Sequence, residues 1–138
     1  MATGTSPRLT ASSAVLLVKD VVAAANHYRD AMGFAYDLWG DPPGFAILHR
    51  DGMYLSLKRA VDPKHIIPHH TVSDVPWNVY FWVSDADALH AEFVGRGAKI
   101  AYEPCDQSYG CREFGTQDID GYGISFGQVT DKPKSKAQ

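Results

Sequence analysis

Residues 13–20 read Ser-Ala-Val-Leu-Leu-Val-Lys-Asp, and residues 78–85 read Asn-Val-Tyr-Phe-Trp-Val-Ser-Asp. Each is a short β-type run that ends on an aspartate suited to cap a helix. Behind Asp20, Val22, Ala25, Tyr28 and Met32 recur at helical spacing, and Gly33 closes the segment. Behind Asp85, Ala86, Leu89, His90 and Phe93 do the same, and Gly97 closes it. Three strand-like runs follow the first helix: Phe34–Trp39, Phe45–His49 and Met53–Lys58, with turns at Asp41-Pro42-Pro43-Gly44 and Asp51-Gly52. Three follow the second: Lys99–Tyr102, Glu113–Gln117 and Tyr122–Gly127, the last two joined at Asp120-Gly121.

The unit β-α-β-β-β therefore occurs twice. Val18-Lys19-Asp20 returns as Val83-Ser84-Asp85, and Asp51-Gly52-x-x-x-Ser56 returns as Asp120-Gly121-x-x-x-Ser125. Each unit carries a sheet face that it cannot bury alone. The expected fold is α+β: two tandem βαβββ modules forming a cupped mixed sheet around a cleft, with helices on the outer face. One domain spans 13–128, with module one at 13–58 and module two at 78–128. The stretch 59–77 between them is long for a compact domain and reads as a linker, an arm crossing between subunits, or a binding loop. It holds His65, His69 and His70. Residues 1–12 read as a flexible leader and 129–138 as a flexible, basic, Pro-containing tail.

Composition removes several function classes. The 138 residues suit one domain, and 45% are apolar. No run of about 18 apolar residues marks a transmembrane helix. No apolar segment behind a basic start marks a secretory signal, so a cytoplasmic protein without a membrane partner is expected. A net charge of −3 and a pI near 6.0 give no footprint for nucleic acid. Cys105 and Cys111 are too few for a disulfide framework and read as reduced thiols. Aromatic residues, at 12%, are the unusual quantity, and they hint at a surface for flat or apolar molecules.

Over roughly residues 13–128 the chain resembles the vicinal oxygen chelate superfamily, which includes glyoxalase I, extradiol dioxygenases, fosfomycin-resistance enzymes and bleomycin-resistance proteins. The resemblance rests on Val18-Lys19-Asp20-Val21, Met32-Gly33-Phe34, Val83-Ser84-Asp85, and Tyr109-Gly110-Cys111-Arg112-Glu113-Phe114 followed by Asp118-Ile119-Asp120-Gly121. It implies paired modules, a cupped sheet and usually a homodimer. In the enzymes it also implies a divalent metal held by His, Glu or Gln from four strands. The matching positions here hold Ser13, Ser56, Asn78 and Ser125. None is a good transition-metal ligand, and three hydroxyls with one amide bring no charge to hold a hard cation. A register slip does not restore the site, because neither 13–19 nor 78–84 contains His, Glu or Asp. The expectation is no metal and no cofactor, as in the metal-free bleomycin-resistance-like branch.

Strand alternation then names a lining. Tyr80 and Trp82 go with Asn78, Tyr54 and Lys58 with Ser56, and Val15 and Leu17 with Ser13. Trp39, Phe45 and Tyr109 are wall or rim candidates. Arg112 is placed with them, although beside Glu113 it also reads as half of a structural ion pair. In the metal-free branch the position of Tyr109 is an aromatic that stacks on the ligand, and Tyr80 and Trp82 correspond to a Trp-rich strand. The leading expectation is a homodimer that sequesters an aromatic or antibiotic-like small molecule. Two others stand beside it: a metal-dependent lyase, isomerase or dioxygenase using His65, His69 or His70, and a metal-free enzyme with Tyr54, Lys58 or Tyr80 as acid or base. His27 and His90, on the two helices, read as structural, and His49 as exposed.

Overall fold

A computed structural model describes residues 6–130. The element order is β1 (Ser13–Val18), α1 (Val21–Met32), β2 (Ala35–Gly40), β3 (Pro43–Arg50), β4 (Met53–Arg59), β5 (Val79–Trp82), α2 (Ala86–Gly95), β6 (Lys99–Asp106), β7 (Cys111–Gln117) and β8 (Gly123–Val129). The strands form two four-stranded sheets ordered β1-β4-β3-β2 and β5-β8-β7-β6. In each, the first strand runs parallel to the last and the rest pair antiparallel. These are the two βαβββ modules that the repeat anticipates. No helix among the described residues is long and apolar enough to cross a membrane.

Local chemistry sets the elements. Asp20 accepts a hydrogen bond from the backbone N–H of Ala23, and Asp85 from that of Ala88, so each aspartate satisfies an orphan donor of its helix. Gly33 ends α1 in the left-handed conformation, at φ 73°. Asp51 and Gly52 both take positive φ, as a tight hairpin with primed geometry requires. The second Asp-Gly differs. Five residues join β7 to β8, and the Asp118 side chain accepts from the N–H groups of Asp120 and Tyr122. The buried stripe of α1 starts one residue earlier than the spacing predicts, at Val21 rather than Val22.

Several strand ends also move. β8 runs to Val129, so the strand includes the first residue assigned to the tail. β6 continues to Asp106, well beyond Tyr102. It is an edge strand with register shifts on either side of Tyr102, which is where a strand tolerates Pro104. Residues 6–12 are exposed and without regular structure, whereas 1–5 and 131–138, the rest of the leader and tail, lie outside the described residues. Residues 59–77 carry two single-turn 3₁₀ segments, Pro63–His65 and His69–Thr71.

One face of each sheet carries its helix, and these faces share one core. Leu16, Val18, Leu48, Leu55 and Leu57 of the first module join Phe93, Phe114, Ile124 and Phe126 of the second. Phe34 meets Phe81 across the junction, with ring centroids 6.0 Å apart. Arg50 ties the modules further: its guanidinium donates to the Met32 carbonyl and, in bidentate fashion, to Glu92 on α2 at 2.9 Å. Tyr28, fully buried on α1, donates to Asp118, and Tyr122 donates to the Leu17 carbonyl. The opposite face of each sheet carries no helix.

Candidate functional site

The open face of the second sheet is organised around one carboxylate. Glu113, in the middle of β7, is fully buried. Tyr80 on β5 and Tyr109 in the loop before β7 both donate to its Oε1, at 2.8 and 2.6 Å. Tyr102 on β6 donates to Oε2 at 2.6 Å, and the Gln107 amide approaches the same oxygen at 3.5 Å. Ser125 on β8 lies 2.9 Å from the Tyr102 hydroxyl. All three phenols are pushed above their ordinary pKa, first by burial and then by the hydrogen bond to Glu113. A phenol held in its protonated form is a steady donor to the carboxylate and a poor proton acceptor in catalysis.

Two glycines make this arrangement possible. Tyr102 pairs with Gly115 in register, and its ring occupies the space where a Gly115 side chain would stand, 2.2 Å from a Cβ placed there. The Tyr80 hydroxyl lies 1.8 Å from the corresponding Cβ position of Gly127, which pairs with Glu113. Without side chains at 115 and 127, the tyrosines lie across the sheet and reach the carboxylate.

Around this centre runs an aromatic strip. Trp77, Tyr80 and Trp82 stand edge to face, with centroids 5.1 and 5.3 Å apart. Trp82 is 69% exposed and Tyr109 is 44% exposed, both unusual for rings of this size. A planar ligand can stack there at about 0.5–1.5 kcal/mol per ring beyond simple area burial.

The open face of the first sheet holds another group of the sequence-predicted residues. Ser13 and Ser56 hydrogen-bond each other at 2.7 Å. Tyr54 and Lys58 flank Ser56 on the same side of β4, both exposed. Trp39 and Phe45, cross-strand partners, pack with centroids 6.0 Å apart. Val15 and Leu17 share this face and are exposed too. Among the described residues, no hydrogen bond, ion pair or ring contact joins this group to the Glu113 group. The structure thus brings Tyr80, Trp82, Tyr109 and Ser125 together on one sheet, and Ser13, Trp39, Phe45, Tyr54, Ser56 and Lys58 on the other.

Arg112 belongs to neither group. Glu113 and Cys111 take the open side of β7, so alternation turns Arg112 to the helix side, where it binds Asp87 of α2 at 2.8 Å and Asp106 at 3.3 Å. Arg112 is therefore half of a structural ion pair, as one of its two readings has it, but its partners are Asp87 and Asp106 rather than Glu113, and its side chain is turned away from the Glu113 group. Glu113 itself went unrecognised as the centre of the site. Its signals were present in the sequence: glycines inside strands, which mark a close approach of another group, and a tyrosine four residues before the glutamate.

The positions implied for a metal do not fit one. Ser13 is engaged with Ser56, Ser125 with Tyr102, and Asn78 accepts from the backbone N–H of His69. Among the described residues no group of three or more His, Cys, Asp or Glu side chains is gathered as a metal would need. His69 Nδ1 faces the Trp77 carbonyl within the 59–77 segment, whereas His70 Nε2 faces the Gly121 carbonyl of the second module, so the neighbouring imidazoles engage different groups. A cavity of about 500 Å³ lies at the junction of the modules and shares Trp82 with the aromatic strip. Phe34, Phe81, Phe93 and Phe126 floor it, and the Arg50–Glu92 pair and Asp85 rim it.

Comparison with known proteins places this geometry. The family model described as the Glyoxalase/Bleomycin resistance protein/Dioxygenase superfamily matches residues 10–126. No curated protein sequence matches the chain. Among solved structures, TioX from Micromonospora sp. ML1 is similar with a TM-score of 0.69 at 21% identity, over 87% of this chain and 98% of that one. A glyoxalase-related enzyme from Clostridium phytofermentans gives 0.72 at 15% identity, over 91% and 99%. A glyoxalase/bleomycin resistance protein/dioxygenase from Nocardioides gives 0.66 at 19%, over 95% and 91%. At these identities the likeness is one of fold.

Proposed function

The chain belongs to the glyoxalase/bleomycin resistance protein/dioxygenase superfamily, and from that premise we propose that it binds a small, flat aromatic or antibiotic-like molecule without a metal and without transforming it. The observation that carries this reading is the aromatic strip of Trp77, Tyr80 and Trp82 with Tyr109 near it, of which Trp82 and Tyr109 are exposed, on a sheet face where the buried Glu113 carboxylate already accepts from three phenols. Such a face offers stacking area and fixed hydrogen-bond acceptors, which suit binding. The serines and asparagine at the four metal positions support the same reading, because they are spent on one another and on neighbours.

The protein acts as a homodimer in this proposal. The open face of the first sheet leaves Val15 57%, Leu17 37%, Trp39 49% and Tyr54 39% exposed. A second copy would cover that apolar face. Unpaired Cys105 and Cys111 accord with a reducing, cytoplasmic setting.

The test is a titration of tag-free protein with planar acridine and anthracene derivatives of either charge, followed by tryptophan fluorescence and thermal unfolding. Saturable quenching with a rise in Tm is expected, and Trp82→Ala should weaken binding about 2–12-fold, the equivalent of one stacking contact. Absence of binding by every compound, or affinity unchanged in Trp82→Ala, would overturn the proposal. Sedimentation at micromolar concentration tests the dimer, and a monomer there removes that part.

A further inference from the structure

The environment of Glu113 defines the charge of the ligand, given the binding function proposed above. Glu113 is fully buried, and among the described residues no Lys, Arg or His forms an ion pair with it. Buried carboxylates are ordinarily matched by a cation, because hydrogen bonds alone leave the charge itself uncompensated. Among the described residues the compensation comes from three phenols and one distant amide.

That arrangement also fixes the polarity of the surface seen by a ligand. A carboxylate can only accept, so Tyr80, Tyr102 and Tyr109 each spend their single hydrogen on it. Their oxygens keep lone pairs and no hydrogen, and they can only accept from anything else. Ser125, beside the Tyr102 hydroxyl, can donate its own hydrogen there. The phenol oxygens near the exposed strip are therefore acceptors backed by a buried negative charge. The ring faces of Trp77, Tyr80 and Trp82 add the negative side of their quadrupoles, which attracts cations within about 6 Å.

We propose that the second-sheet face selects a planar ligand bearing a positively charged nitrogen with N–H donors, such as an aminated aromatic cation, and disfavours aromatic anions of the same size. The cation supplies the charge that Glu113 lacks. Its N–H groups meet the acceptor oxygens of Tyr109 and Tyr80, and its ring stacks on Trp82. The carboxylate acts through the tyrosines as a positioning residue and does not itself touch the ligand.

The experiment compares proflavine, a planar cation with amino donors, with anthracene-2-carboxylate, a planar anion without them. Both are titrated by tryptophan quenching at low and high salt. Wild-type protein should prefer proflavine at least 10-fold, and the preference should shrink at high salt. Glu113→Gln removes the charge and lets its amide donate to a phenol, so the preference should fall below about 3-fold while the anion binds as well or better. Tyr109→Phe, at a half-exposed position that leaves the fold intact if Glu113→Gln does not, should weaken proflavine several-fold and leave the anion unchanged. Equal wild-type affinities for the two probes, or a preference that survives both substitutions, would overturn the charge assignment while leaving aromatic binding in place. If neither probe binds, the proposed function fails with it.

Discussion

Gly127→Ala would test whether the site depends on a backbone position rather than on its conspicuous aromatics. A Cβ at 127 would stand 1.8 Å from the Tyr80 hydroxyl and 2.6 Å from its ring carbon, where ordinary contact begins near 3.4 Å. The phenol must therefore retreat by roughly 1.6 Å, which its 2.8 Å bond to Glu113 cannot survive. Losing a hydrogen bond to a charged group costs about 1.5–3 kcal/mol. Forcing the ring aside adds about 1–3 kcal/mol of overpacking. Replacing glycine in a strand returns about 0.5–1 kcal/mol. The net expectation is a loss of about 2–5 kcal/mol, or a Tm lower by roughly 6–20 °C in a domain of this size. Calorimetry on the wild type, Gly127→Ala, Tyr80→Ala and the double variant separates the terms. If the clash with Tyr80 is the cause, adding Gly127→Ala to Tyr80→Ala should cost under about 0.5 kcal/mol. A loss below about 1 kcal/mol in the wild-type background, or an equal loss in both, would refute the reasoning.

Other consequences follow from the junction and the helices. Burial raises Asp118 to about 6, so the folded state holds its proton more tightly than the unfolded chain does. Stability from this group is therefore present below about pH 4 and is lost as pH rises through 6; Asp118→Asn should flatten that part of a stability–pH curve by about 2–3 kcal/mol, read from urea midpoints. Tyr28→Phe leaves the same buried aspartate short of a donor and should cost about 1–3 kcal/mol in urea unfolding, with no effect on proflavine binding. Arg50→Met removes the guanidinium from Glu92 and the Met32 carbonyl, and calorimetry should show a loss of about 1–3 kcal/mol. Gly95→Ala at the end of α2 meets nothing within 4 Å, and thermal unfolding should show it neutral or stabilising by up to about 1 kcal/mol.

The tandem architecture was legible because it is written in local chemistry. Asp20 and Asp85 cap helices wherever such helices lie, Gly33 takes a left-handed φ by itself, and Asp51-Gly52 turns a hairpin without help from distant groups. The side chains at the four positions that the resemblance assigns to a metal, Ser13, Ser56, Asn78 and Ser125, are read directly from the sequence, and a serine is a poor transition-metal ligand in any setting. Alternation along a strand correctly grouped Tyr80 with Trp82 and Ser56 with Tyr54 and Lys58.

Alternation within a strand does not say which strands stand side by side, and that is where tertiary structure took over. Pairing of β6, β7 and β8 sets Tyr102 over Gly115 and Gly127 opposite Glu113, and this register makes Glu113 the centre of three phenols. The same pairing turns Arg112 away, toward Asp87 on a helix distant in the chain. The sharing of one core by the two helix-bearing faces separates the Ser13–Ser56 group from the Glu113 group within a chain. The sequence alone determined the repeated module and its caps and turns, because those depend on residues close together in the chain. Which carboxylate is buried, which phenols it commands and which faces stay open depend on contacts between residues far apart in the chain, and only the folded molecule decides them.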